Sequence, residues 1–76
     1  MRKTVPSPSI VDTLEPIGAP RGRKVWRSAD PERIYEWDSL HGELEMSGVR
    51  GRHLGVVDPI AGDKTKRAVK GRRIDV

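Results

Sequence analysis

The sequence predicts a mainly β fold, α+β at most: one small antiparallel, meander-like sheet behind a short helical or irregular N-terminal segment. Three observations carry that expectation. The chain has 76 residues, which allows one small domain and no second. From Arg33 onward, short runs rich in β-formers alternate with Gly, Pro and Asp turn chemistry. No stretch has the length and capping of a long helix.

Residues 1–22 hold Pro6, Pro8, Pro16 and Pro20 and show neither a helical nor a strand period. Proline removes backbone donors and biases the preceding residue toward extended conformations. This stretch is expected to be a flexible leader, with one turn of structure around residues 10–14, and the folded domain to occupy residues 23–76. Within that domain, residues 33–38 (RIYEWD) read as the first strand and residues 41–46 (HGELEM) as the second. Residues 47–51 supply two glycines for a turn, and residues 53–57 (HLGVV) form a third strand. Asp58-Pro59 and the turn at 60–63 close it, and residues 64–69 and 72–76 can add a fourth and a fifth.

If Ser39-Leu40 is a two-residue hairpin loop, Asp38 and His41 lie opposite each other on one face. Alternation then adds Glu43 and Glu45 to that face, with Glu36 across from Glu43, and sends Tyr35, Trp37 and Leu44 to the core side. Ser-Leu suits a primed turn poorly, so a wider loop is the alternative. A helix would also group 38, 41 and 45, but the aromatic, alternating pattern favours strands.

Composition narrows the function. Hydrophobic and charged residues each make up 34%, so the core must be small, with about 3–5 kcal/mol of net stability to give. Trp26, Tyr35 and Trp37 are its only aromatic anchors. With no cysteine, disulfides, zinc–thiolate sites and thiol nucleophiles are excluded. No apolar run approaches the ~18 residues of a membrane span, and no export signal is present. The net charge is +4, and basic residues cluster at 21–27, 50–53 and 64–73 around an acidic centre. That distribution suits a polyanion such as nucleic acid, against the alternative of a solvated basic surface.

His41 ringed by Asp38, Glu43 and Glu45 is a sensible kit for cutting RNA, which carries its own nucleophile in the 2′-hydroxyl. The enzyme need only remove that proton, protonate the departing 5′-oxygen and stabilise the phosphorane. A glutamate can be the base and a histidine the acid, each transfer contributing ~10²–10⁴ in rate. A carboxylate on the imidazole fixes its orientation. The plainer reading of a strand histidine among carboxylates is a surface ion pair, though adjacent like charges repel. A metal site through His41, Glu43 and Glu45 lacks any recognised ligand spacing. His53 reads as structural or phosphate-contacting, and Trp26 and Trp37 as core.

The run at residues 34–45 (IYEWDSLHGELE), followed by His53-Leu54-Gly55 and Asp58-Pro59 and preceded by Trp26, resembles the cytotoxic ribonuclease domain of the ribosome-inactivating colicins and cloacins. The resemblance begins near Arg23 and covers about two-thirds of the chain. It implies a highly twisted antiparallel sheet with a short N-terminal helical segment. It also implies metal-independent cleavage of small-subunit ribosomal RNA at the decoding site, giving a 2′,3′-cyclic phosphate without a cofactor. The family's catalytic positions fall on Asp38, His41, Glu45 and Arg72, with Tyr35 and Glu43 in or beside the site. Arg52, His53, Lys70 and Arg73 are the expected substrate contacts. The roles implied are Glu45 as base, His41 as acid, Asp38 orienting His41 and Arg72 on the phosphate; exchange of the Glu45 and His41 roles stays open.

The resemblance further implies an acidic immunity protein as partner and the ribosomal small subunit as target. Such a toxin is made in the bacterial cytoplasm bound to its immunity protein and acts in the cytoplasm of the bacterium it enters. There are departures: the turn at 47–50 is slightly shorter, residues 74–76 are less basic, and residues 1–20 lie outside the resemblance. The receptor-binding and translocation domains usual in such toxins are absent from the sequence, which fits an excised domain or a toxin with another delivery context. Two readings from other classes compete: a non-catalytic RNA- or ribosome-binding module, and a metal-dependent nuclease using His41 and Glu43.

Overall fold

Short apolar-alternating runs joined by tight connections leave each strand next to its neighbour in sequence. The computed structural model, which describes residues 2–67, has six antiparallel strands in the order β1 (Glu15–Gly18), β2 (Val25–Ala29), β3 (Glu32–Asp38), β4 (Glu43–Ser47), β5 (His53–Val57) and β6 (Lys64–Arg67). The meander expected from the turn chemistry is borne out. Short 3₁₀ turns at Ile10–Thr13 and Pro20–Gly22 precede the main hairpins. No helix of the described residues is long and apolar enough to cross a membrane. The strand expected at 72–76, and the end of that expected at 64–69, lie outside the described residues.

The main buried cluster lies on one face of the sheet, while Val25, Ile34 and Val56 are buried on the other, beside the carboxylates. Val11, Trp26, Trp37, Leu44 and Val57 form the main cluster, with Val5, Ile10, Leu14, Tyr35 and Met46 packed against it. Trp37 pairs directly with Leu44 across β3 and β4. Both tryptophans are core, as the scarcity of aromatics suggested.

The N-terminal segment departs from the expected leader. Val5, Ile10, Val11 and Leu14 cover the apolar face, and β1 adds an edge strand through Glu15↔Arg27 and Pro16↔Trp26. The physical reason is that this segment contributes single apolar residues from irregular backbone, which leaves no period to read. Pro16 sits on an edge strand, where a missing N–H is tolerated. The Ile10–Thr13 turn matches the one expected at 10–14. β2 was hidden because it overlaps the basic run at 21–27, although Arg27 is its one charged residue.

The β3–β4 connection is also a correction. It is a four-residue loop, residues 39–42, and not a Ser39-Leu40 hairpin. Asp38 pairs with Glu43 and Glu36 with Glu45, so His41 is in the loop and not opposite Asp38 on a strand. Neither serine nor leucine favours positive φ, and the chain closes the wider loop with Gly42 at φ +67°. The shift relative to the expected register is two residues, which keeps every side chain on its expected face. Hence the acidic face and the apolar face are as read from sequence, although the rungs are not.

Candidate active site

Asp38 builds the loop that carries His41. Its Oδ1 accepts the Leu40 and His41 backbone N–H groups at 3.0 and 3.2 Å, and its carbonyl accepts the Gly42 N–H at 2.8 Å. Oδ2 meets His41 Nδ1 at 2.7 Å. One buried aspartate therefore caps the loop and orients the imidazole. The His41 side chain is 64% exposed, so its far edge points to solvent while Nδ1 is committed to Asp38.

Behind this pair, alternation stacks carboxylates on the same face. Glu36 and Glu45 lie directly opposite each other, one rung beyond Asp38 and Glu43 on that face, and both are buried. Like charges across a rung are unfavourable, and burial sharpens the cost. Cations offset it. Arg23 reaches Glu36 at 3.1 Å and Asp38 at 3.7 Å, Lys66 of β6 pairs with Glu43, and His53 Nε2 meets Glu45 Oε1 at 2.9 Å. Burial pushes the Asp38 carboxyl up, but hydrogen bonds from the His41 side chain and backbone and the charge of Arg23 outweigh it. The net effect holds the carboxyl below the usual carboxylate range. The hydrogen bond to Glu43, with that carboxylate's charge, pushes the Lys66 ammonium above its usual value.

Of the residues expected at the site, the structure brings Asp38, His41, Glu43 and Glu45 onto one face around the β3–β4 loop. Three others are placed elsewhere. Tyr35 packs against the Trp37 and Leu44 core on the opposite face, where alternation had put it. Arg52 is exposed in the β4–β5 loop, at the far end of β4 from His41, about 15 Å along the strand. His53 is 2% exposed and turned to Glu45. Arg72, Lys70 and Arg73 lie outside the described residues.

Sequence reasoning missed Arg23 and Lys66. Both reach the site only through strand pairing, Arg23 ahead of the Val25↔Glu36 rung and Lys66 from two strands away through Val56. Their signal was only membership of basic runs. Donor atoms of Asp38, His41 and Glu43 lie within 4.8 Å of one another and could in principle hold a cation. Asp38 is already engaged by His41 and Arg23, and Glu43 by Lys66.

A model of the Cytotoxic family matches residues 8–75, which extends the likeness into the N-terminal segment that packs on the core. Colicin E3 of Escherichia coli is 45% identical over 62 residues, covering 78% of this chain and 11% of that protein. Cloacin of Escherichia coli is 49% identical over 57 residues, 71% of this chain and 9% of that protein. Colicin-E6 of the same organism is 46% identical over 52 residues, 64% of this chain and 9% of that protein. The chain thus spans about a tenth of the length of the curated relatives it matches. The resemblance carried by residues 34–45 is borne out, and a match that takes in β1 to β6 and the Asp38–His41 loop makes this chain a member of the Cytotoxic family.

Proposed function

We propose that this domain is a toxin endoribonuclease that cleaves small-subunit ribosomal RNA at the decoding site without a metal. The observation that carries the proposal is the solvent-facing His41 held at Nδ1 by buried Asp38, 2.7 Å away, on the carboxylate face of a basic domain. Family membership supports the same reading.

In the proposed reaction Glu45 takes the 2′-hydroxyl proton, and the 2′-oxygen attacks phosphorus. His41 gives its Nε2 proton to the 5′-oxygen as the P–O5′ bond breaks, leaving a 2′,3′-cyclic phosphate and a 5′-hydroxyl. Asp38 orients His41 through its Nδ1, and Arg72 is assigned to the phosphate by resemblance. The exchanged assignment, with His41 as base and Glu45 as acid, uses the same two residues in the same geometry. A substrate with sulfur in place of the 5′-oxygen separates the two, because a thiolate leaves without an acid. Such a substrate rescues whichever variant, His41→Ala or Glu45→Gln, has lost the acid.

By the same resemblance, the domain's target is the ribosomal small subunit in the cytoplasm of a bacterium it enters. Its keeper in the producing cell is an acidic immunity protein, complementary to the net charge of +4.

The test is to incubate intact bacterial ribosomes with wild type and His41→Ala in the presence of a chelator, and to read the small-subunit RNA on a gel. The expected result is one discrete 3′-terminal fragment with wild type, absent with His41→Ala. RNA left whole by properly folded wild type would sink the catalytic reading in favour of a binding module. Cleavage lost only in chelator would favour a cation on Asp38, His41 and Glu43.

A further inference from the structure

His53 has the chemistry of a functional residue but the position of a structural one. Its ring is buried, and its Nε2 lies 2.9 Å from Glu45 Oε1, with side-chain exposures of 1% and 4%. Simple alternation back from Val57 and Gly55 would send His53 to the Leu44 face, away from Glu45. A β-bulge prevents this. Between Met46↔Gly55 and Ser47↔His53 the strand β4 advances one residue and β5 two, so the extra residue turns His53 to the carboxylate face. Gly55 holds φ +140° there, with the Lys66 carbonyl 2.5 Å from where a Cβ would stand. The site therefore spends a glycine and a strand irregularity to aim one imidazole at one carboxylate.

We infer that His53 is a positioning residue for Glu45, fixing the carboxylate's rotamer through an Nε2–H hydrogen bond in a place too dry for water to substitute. This rests on the proposed role of Glu45 in proton transfer. As the proposed base, Glu45 is an acceptor-only carboxylate, so Nε2 carries the hydrogen. A second carboxylate, Glu36, stands on the same rung, and a donor on the far side of Glu45 keeps the two apart. His53 itself never touches substrate; it acts through the geometry of Glu45.

The test uses the whole chain, with intact bacterial ribosomes as substrate, and compares His53→Gln with His53→Asn. The Gln amide nitrogen reaches the place of Nε2, whereas the Asn amide stops short near Nδ1. Both are polar, buried side chains of similar character, so a merely structural role predicts similar losses that follow the melting temperature. The positioning role predicts that His53→Asn lowers kcat by up to about 10²-fold with KM little changed, while His53→Gln retains most of the rate. Equal losses in both variants, or an effect confined to KM, overturn the inference. So does an His53→Asn enzyme as fast as wild type while Glu45→Gln is inactive. If Glu45→Gln keeps full activity, it is the proposed role of Glu45 that fails, and the inference falls with its premise.

Discussion

Replacing Asp38 by asparagine separates what this residue does for the fold from what it does for His41. The asparagine carbonyl oxygen can keep the bonds from the Leu40 and His41 backbone N–H groups, at 3.0 and 3.2 Å. The amide nitrogen then replaces Oδ2, 2.7 Å from His41 Nδ1, and presents a donor where the wild type presents an acceptor. His41 must either rotate away or place its proton on Nε2, and its protonated form loses a counterion. A charge-assisted hydrogen bond contributes about 1.5–3 kcal/mol, but exposure of the imidazole reduces this pair to about 1 kcal/mol. The rate, by contrast, should fall by ~10²–10⁴ if an oriented His41 is a proton-transfer group. Asp38→Ala also removes both loop bonds, about 0.5–1.5 kcal/mol each, and should approach the whole stability of so small a domain. Urea unfolding and ribosome cleavage, measured on the same samples, make the comparison. Near-normal cleavage by Asp38→Asn would refute the orienting role. The acid limb gives an independent check. A carboxyl held below its ordinary value contributes stability above its unfolded pKa, about 4, and that contribution is lost as pH falls through the lower folded value. The gap in stability between wild type and Asp38→Asn should therefore close below about pH 4.

Two further perturbations test the frame around the site. Leu44 is 0% exposed, so Leu44→Ala should cost about 2–5 kcal/mol and leave the chain largely unfolded by circular dichroism at ambient temperature; a loss under about 1 kcal/mol would contradict the core assignment. Deleting residues 2–5 removes the Lys3 carbonyl that accepts the Trp37 indole N–H at 2.9 Å and the Lys3 N–H bonded to the Ser39 carbonyl at 2.7 Å. It should cost about 1–3 kcal/mol, with faster amide exchange in residues 39–42; unchanged exchange there would show that this segment does not brace the loop.

What the sequence made legible follows from which signals are local. Alternation at 33–38 and 43–46 separates Glu36, Asp38, Glu43 and Glu45 from Tyr35, Trp37 and Leu44 whatever the loop length, provided the register slips by an even number. The rungs themselves were misread because a loop's length depends on one left-handed residue, Gly42, and on hydrogen bonds that Asp38 makes only once the loop exists. Apart from the turn at 10–14, the packing of residues 5–14 was illegible for another reason. They are pinned by contacts to Trp26, Trp37 and Leu44, and a segment held by tertiary packing need not carry a period of its own. Arg23, Lys66 and His53 reach the site by pairing of β2, by pairing of β6 and by a bulge in β5. None of these is a property of a short window of sequence.

The charge arrangement explains how a phosphate-handling site can be lined with carboxylates at all. Glu36, Asp38, Glu43 and Glu45 on one face would repel a polyanion and one another if left bare. Each instead has a cationic or imidazole partner: Arg23 on Glu36 and Asp38, Lys66 on Glu43, His53 on Glu45 and His41 on Asp38. Three of the four carboxylates are also buried, so the incoming strand meets the more exposed Arg23, Lys66 and His41 before it meets those acids. His41 is the partner whose side chain is most open to solvent among the histidines, and a net charge of +4 draws the strand toward it. Carboxylates in such a site can tune and hold an imidazole at short range while the domain remains attractive to RNA at long range. The two demands act over different distances, which is why a basic protein can keep an acidic centre.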